Sequence, residues 1–243
     1  MKQKIILVMV AFSLLTACAK RENKDIDASF FQSPSTVLIA EVGGLGSPKY
    51  HIEMGDSNAG LIGALVMSVA QGIAGAANSD AIEVVEAMQL FHLSEQHYHK
   101  PFSQAFRDKG VLAQNMLSPL LPEGLQAIED DKIQPPYDFK FLKDHHNVDY
   151  VFVMIPGGTR IIRYPGLFGH SIAQAALNFY LIKLMDNTVS GYFSSSVNLP
   201  IADDWDNPPH YPRLTSGIEE SIRLACQNAL LFFFKDNVKN ECS

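Results

Sequence analysis

Cysteine is scarce in this chain of 243 residues, with only three, at positions 18, 226 and 242. So few leave no set of thiolates for a structural zinc site. Basic residues are short as well, 19 against 26 acidic ones, for a formal net charge of −7. Nucleic-acid binding draws on clustered Lys and Arg, so this balance excludes that class. Charged residues make up 19% and hydrophobic ones 47%, which excludes disorder or coiled coil for the bulk of the chain. Nucleotide-binding glycine spacings are missing too. The loop Gly43-Gly44-Leu45-Gly46-Ser47-Pro48-Lys49 follows a strand-like run but fits neither the dinucleotide nor the P-loop pattern. Pro48 also opposes a helix opening directly after the glycines, so the loop reads as a turn. No repeat or shift in composition divides the chain, which points to one domain.

What is present begins with an address. Lys2 and Lys4 precede an apolar run, Ile5 to Leu15, too short to span a bilayer. Leu15-Thr16-Ala17-Cys18 then resembles the bacterial lipobox, in which the Cys becomes the lipidated first residue. On this reading residues 1–17 are a cleaved leader, 18–33 the lipidated Cys18 and a polar tether, and 34–243 a periplasmic domain. Ala19 stands where an inner-membrane retention signal places Asp, so the resemblance implies the periplasmic face of the outer membrane. Acyl chains contribute roughly 0.8 kcal/mol per buried CH₂, and several together anchor stably. In that oxidising compartment Cys226 and Cys242 form a disulfide or remain two unrelated thiols.

Thr36 to Val42 is a β-branched and apolar run that ends at Gly43-Gly44 and reads as a buried strand. Ser57 to Ser79 carries no charge but is rich in Gly and Ala. It reads as a tightly packed helix or, alternatively, as a membrane-inserting segment. A helix is expected to continue over Asp80 to His92, and another from Pro101 to Gly110, burying Phe102, Ala105 and Phe106. Pro119 to Asp144 reads as a long surface connection with a helical turn near Leu125. Tyr150 to Ile155 is a second buried strand, ended by Pro156-Gly157-Gly158. From Val189 onward, alternation places Val189, Phe193 and Val197 on one face and Ser190, Tyr192, Ser194, Ser196 and Asn198 on the other. Ala173 to Met185 fits strand or helix. The turn Asp186-Asn187-Thr188 favours a hairpin. A final helix opens with the capping box Ser216 and Glu219 and buries Ile218, Ile222, Ala225, Ala229 and Phe232.

Val148-Asp149-Tyr150-Val151-Phe152-Val153, followed by Leu177 to Asp186, Thr188, Gly191 and Tyr192, resembles a set of envelope lipoproteins. They include the curli secretion lipoprotein, the lipoprotein activators of penicillin-binding proteins and the amino-terminal domain of the Tol propeller protein. Tyr192 stands where those proteins often carry Trp. The resemblance implies a single-domain α/β fold with a mixed β-sheet and a C-terminal hairpin, packed by helices. It also implies a role in binding or assembly and not in catalysis.

Three clusters of residues suggest chemistry. Gly169-His170-Ser171-Ile172-Ala173 resembles a hydrolase nucleophile elbow, with Pro156-Gly157-Gly158 as an oxyanion loop and Asp203, Asp204 or Asp206 and His210 as partners. Such an elbow needs a strand before Ser171 and a helix after it. His92, Glu95 and His99 would share one helical face and suit zinc, unless they simply form a polar helix end. Asp203, Asp204, Trp205 and Asp206 gather three carboxylates around the only Trp, which suits docking to a protein partner.

The sequence therefore predicts an outer-membrane lipoprotein acting as a non-catalytic binding or assembly factor. The lipidated residue is Cys18, and the contact residues are Asp203, Asp204, Trp205 and Asp206. No metal and no cofactor are expected. The partners are an envelope protein and the membrane, reached through the lipid. Two alternatives remain: an oligomeric secretion or pore component using residues 59–77, and a serine hydrolase using Ser171.

Overall fold

The computed structural model describes residues 22–52, 83, 87, 88, 90–128, 135–164, 170–201 and 212–235. The leader with Cys18, the Gly-rich segment 59–77, most of Asp80 to His92, the Asp203–Asp206 group and Cys242 lie outside them. One mixed sheet organises the chain. Its strands are β1 (Thr36–Glu41), β2 (Lys49–Ile52), β3 (Leu112–Asn115), β4 (Tyr150–Tyr164), β5 (His170–Lys183) and β6 (Thr188–Ile201). The order is β3-β1-β4-β5-β6, with β2 continuing beside β4 beyond the end of β1. β1 runs parallel to both β3 and β4, while β4, β5 and β6 form an antiparallel meander.

The hairpin reading of Ala173 to Met185 holds, because β5 and β6 pair along their length around the turn at Asp186 and Asn187. Asn187 takes the left-handed conformation at φ 56°. Its side chain accepts from the Phe139 N–H at 3.0 Å and donates to the Tyr137 carbonyl at 3.1 Å. The turn thereby pins the segment that covers one face of the sheet. Asp149 serves a similar structural end. Its carboxylate accepts from the Thr36 N–H at 3.1 Å, joining the starts of β1 and β4.

Two expectations about strands are corrected. Pro156 does not end β4, which continues to Tyr164. Met154 turns its carbonyl toward the Val42 N–H (3.0 Å) at the end of β1, so Pro156, two residues on, faces the gap before β2. A missing N–H there forfeits no ladder bond. Gly157 and Gly158 form a bulge, not an oxyanion loop, and a Cβ on Gly157 would lie 3.1 Å from the Ala176 carbonyl oxygen. The second correction concerns β6. Leu181 pairs with Gly191 but Ile182 with Val189, leaving Ser190 as an extra residue. That bulge reverses the alternation. Val189 packs with Tyr180 and Tyr192 on one face, while Phe193 and Val197 pack on the other.

Helices cover the second face. α1 (Phe91–Ser94), a π-helical turn (Glu95–His99) and α2 (Lys100–Asp108) run on from one another. Pro101 lacks an N–H and its ring would crowd the carbonyl four residues earlier, so a normal helix cannot pass through it. The wide turn resolves this, with the Lys100 N–H bonding back to the Glu95 carbonyl. Gly110, at φ 81°, terminates the helix as expected. Tyr98, Phe102 and Phe106 are buried against Phe152, Phe179 and Phe234, with Phe102 and Phe152 centroids 4.9 Å apart. The surface connection expected over Pro119 to Asp144 is corrected at its end, where α3 (Phe141–His146) begins and Phe139 and Leu142 are buried against the sheet.

α4 (Pro212–Phe233) begins one turn before the expected capping box. Pro212 occupies the opening position that suits it, and the Ser216 hydroxyl donates to the Arg213 carbonyl inside the helix. Its buried stripe is Ile218, Ile222, Ala225, Cys226, Ala229 and Phe233. Full burial of a large apolar side chain contributes roughly 1.5–3 kcal/mol. The polar run after Cys18 engages the domain from Asn23 onward. Lys24 and Tyr192 exchange both backbone hydrogen bonds at 2.7 Å, and Ile26 and Phe30 are buried. Among the described residues no helix is long and apolar enough to cross a membrane.

Candidate functional site

Glu41, the last residue of β1, is a carboxylate only 4% exposed. Charge is almost never buried without a partner, because desolvation opposes it. Two partners come from the helical run across the chain. The Ser94 hydroxyl donates to Glu41 Oε2, and His99 Nε2 lies 3.8 Å from the same oxygen. The π-helical turn sets this arrangement, and Tyr98 fixes the turn to the sheet. Its hydroxyl sits 2.9 Å from the Ala40 carbonyl and 2.8 Å from that of Phe152, bridging β1 and β4. Glu41 Oε1 and His99 Nδ1 remain buried without a hydrogen-bond partner.

These residues line a cavity of about 370 Å³ at the carboxyl end of β1. Gly44, Leu45, Gly46 and Ser47 form one wall, so the glycine loop is a turn with a use. Leu90, Met88 and Leu117 supply the apolar wall, and Glu95 is the other acidic residue. Two further buried groups register the charge of Glu41. The Tyr98 phenol is pushed well up, first by burial and then by Glu41. The Cys226 thiol is pushed up by burial and by Glu41 as well. Cys226 is therefore a buried, protonated thiol, and it makes no disulfide.

A catalytic serine gives its proton to an imidazole that a carboxylate orients from the far side. Here the Ser94 hydroxyl donates a hydrogen bond to the carboxylate directly, and His99 faces that carboxylate rather than the serine.

The residues singled out from the sequence fare differently. His92 is exposed and His99 buried, because the π-helical turn breaks the regular spacing that would align them. Among the described residues no three His, Cys, Asp or Glu side chains gather as a metal site. Ser171 lies inside β5, opposite Arg163, and strand rather than helix follows it. Its side chain is buried while that of His170 is exposed on the other face, so no elbow forms. Asp203, Asp204, Trp205 and Asp206 fall outside the described residues. Their flanks, Ile201 and Arg213, line a second cleft of about 750 Å³ with His97, Glu219 and Arg223. Burial, followed by the Arg223 charge, pulls the His97 imidazole down. Glu41 was not legible as a site residue. The available signal was an acidic residue closing a buried strand immediately before a glycine turn.

No family model matches the sequence, and no curated protein matches it either. Several solved structures resemble the chain over most of its length. A Xanthomonas campestris protein of the DUF330 family is 11% identical, covers 86% of this chain and 90% of its own, and has a TM-score of 0.37. A neuraminyllactose-binding hemagglutinin homologue from Helicobacter pylori is also 11% identical, with coverage of 91% and 92% and a TM-score of 0.37. A lipoprotein from Neisseria meningitidis is 15% identical, with coverage of 78% and 98% and a TM-score of 0.27. At TM-scores below 0.5 none of these likenesses carries a functional argument, which rests on the chain's own residues.

Proposed function

We propose that the chain is a lipid-anchored protein of the bacterial envelope whose α/β domain binds a ligand or partner without transforming it. The observation that carries the reading is Glu41, a buried carboxylate with one oxygen unpaired on the wall of a cavity. An unsatisfied buried acceptor costs about 1–3 kcal/mol, a cost that a bound donor would remove. The lipobox-like Leu15-Thr16-Ala17-Cys18 supports anchoring, and Ala19 supports the outer membrane as its place. Anchoring confines the domain to a surface and raises its effective concentration near other envelope components.

Native mass spectrometry of the full-length protein, extracted from envelopes in mild detergent, tests both halves. The expected protein mass includes acyl chains on Cys18 and a noncovalent adduct that Glu41→Gln removes. An unacylated mass overturns the anchor, as does a Cys18→Ala protein that stays with membranes. An acylated protein with no adduct, or with one indifferent to Glu41→Gln, overturns the site.

A further inference from the structure

We infer that the cavity at the carboxyl end of β1 binds a small ligand carrying a primary ammonium group on an apolar body. This deepens the binding reading above and rests on it. Three observations select the chemistry. First, a buried acceptor is in place and its donor is missing. Glu41 Oε1 has no partner, and neither does His99 Nδ1, on two residues that line one cavity and are each 4% exposed. His99 directs Nε2 toward the carboxylate at 3.8 Å, which turns Nδ1 away from Glu41 with no partner among the described residues. An ammonium offers three N–H donors, one of which can serve Glu41 Oε1.

Second, the cavity has the sign for a cation. Among the described residues Glu41 and Glu95 line it, and no Lys or Arg does. Lys100 engages Glu95 from outside the cavity at 3.1 Å, on a pair that is largely exposed and therefore weak. Glu41 stays shielded from water, and a charge-assisted bond formed there is stronger than the same bond in solvent.

Third, the remaining wall is apolar and reaches the surface. Leu45 and Leu90 are buried, whereas Leu117 is 76% exposed. An exposed leucine beside a buried carboxylate suits a ligand with a polar head and an apolar body. A volume of about 370 Å³ is within the range for small-molecule sites. A divalent metal fits less well, since Glu95 lines the cavity but does not gather with Glu41 and His99 into a set of three ligands among the described residues.

The test is isothermal titration of the full-length protein in mild detergent with n-butylamine, 1-butanol and butyrate. Butylamine is expected to bind at least about tenfold more tightly than butanol, the ratio that a modest charge-assisted bond supplies. Butyrate is expected not to bind. Glu41→Gln should abolish butylamine binding. Should that variant fail to fold, Leu117→Arg provides a second route, because it sets a positive charge at the exposed mouth and should block the amine. Gln104→Ala, on the exposed side of α2, should leave binding unchanged. Equal affinity for butylamine and butanol overturns the inference, as does butylamine binding that survives both Glu41→Gln and Leu117→Arg. If butylamine fails while the envelope-derived, Glu41-dependent adduct persists, the ligand class is wrong and the binding role stands.

Discussion

Ser94 donates its hydroxyl to the buried carboxylate of Glu41, joining the helical run to the end of β1 across 53 positions of chain. The pair binds two elements together, yet it leaves Glu41 Oε1 bare. A pair selected for stability alone would have no reason to retain that charge, because apolar replacements of similar shape are often neutral or better.

Stability should therefore respond asymmetrically at this pair. Ser94→Ala strands the carboxylate and is expected to cost about 1–3 kcal/mol, read as a lower urea midpoint. The double variant Ser94→Ala/Glu41→Met removes both polar groups and should recover most of that loss. A double variant as unstable as the single one would mean that Glu41 is held for the fold and not for a ligand.

Stability should also decline in alkali, and the sign follows from two buried acids. The folded-state pKa values of Cys226 and Tyr98 are both raised by burial and by Glu41. Below about pH 9 both groups are neutral in either state, and their contribution is fully present. As pH rises past 9 the thiol ionises only in the unfolded chain, and past 10 the phenol does likewise. Each then removes about 1.4 kcal/mol per pH unit. Urea midpoints measured from pH 8 to 10.5 should fall, and Cys226→Ala should flatten the part of the slope that begins near 9. An unchanged slope in that variant would place the thiol in water. The same burial should protect Cys226 from iodoacetamide until the protein unfolds.

Much of this fold was legible, and the failures share a cause. The β-branched run at Val37, Leu38 and Ile39 announces β1, and the alternation around the Asp186–Thr188 turn announces the hairpin. Both signals are local. β2 and β3 have four residues each and pair only in parallel, so their stability comes from neighbours distant in sequence. Pro156 misled because a proline is tolerated in a strand only where a ladder partner is missing, and that gap belongs to the assembled sheet. Ser190 misled because one bulged residue exchanges the faces of everything beyond it. The site was hidden for the same reason. Glu41 looks solvated until the turn forced by Pro101 lays Ser94 and His99 against it.

Gly191 gives the segment around Ile26 its seat. A Cβ at Gly191 would lie 2.9 Å from Ile26 Cγ1 and 3.3 Å from Phe233 Cε1. Gly191→Ala is thus expected to cost about 1–3 kcal/mol and to displace the segment that pairs Lys24 with Tyr192. Ile26→Ala opens space at the same point, so the double variant should lose less than the sum of the singles. Thermal melts read the coupling, and limited trypsin cleavage at Lys24 reads the displacement. Strict additivity would show that Ile26 and Gly191 do not share the contact.

The sequence expectation that Trp205 contacts a partner can be tested separately from the cavity. Asp203, Asp204, Trp205 and Asp206 leave β6 at Ile201 and rejoin the helix at Pro212, and both flanks border the cleft that holds His97 and Arg223. A single Trp among three carboxylates has the composition of an interface anchor with a rim selective for basic surfaces. A photoreactive residue at position 205, activated in intact cells, is expected to give one defined adduct to another envelope protein. Glu41→Gln should leave that adduct intact, since Glu41 lines the other cavity. Raising external salt should weaken the adduct if carboxylates steer the partner, because the screening length falls from about 8 Å at physiological ionic strength to about 3 Å at 1 M. A ladder of self-adducts would instead assign Trp205 to contacts between copies of the chain. Absence of any adduct would remove the segment as a contact and leave the Glu41 cavity as the protein's means of recognition.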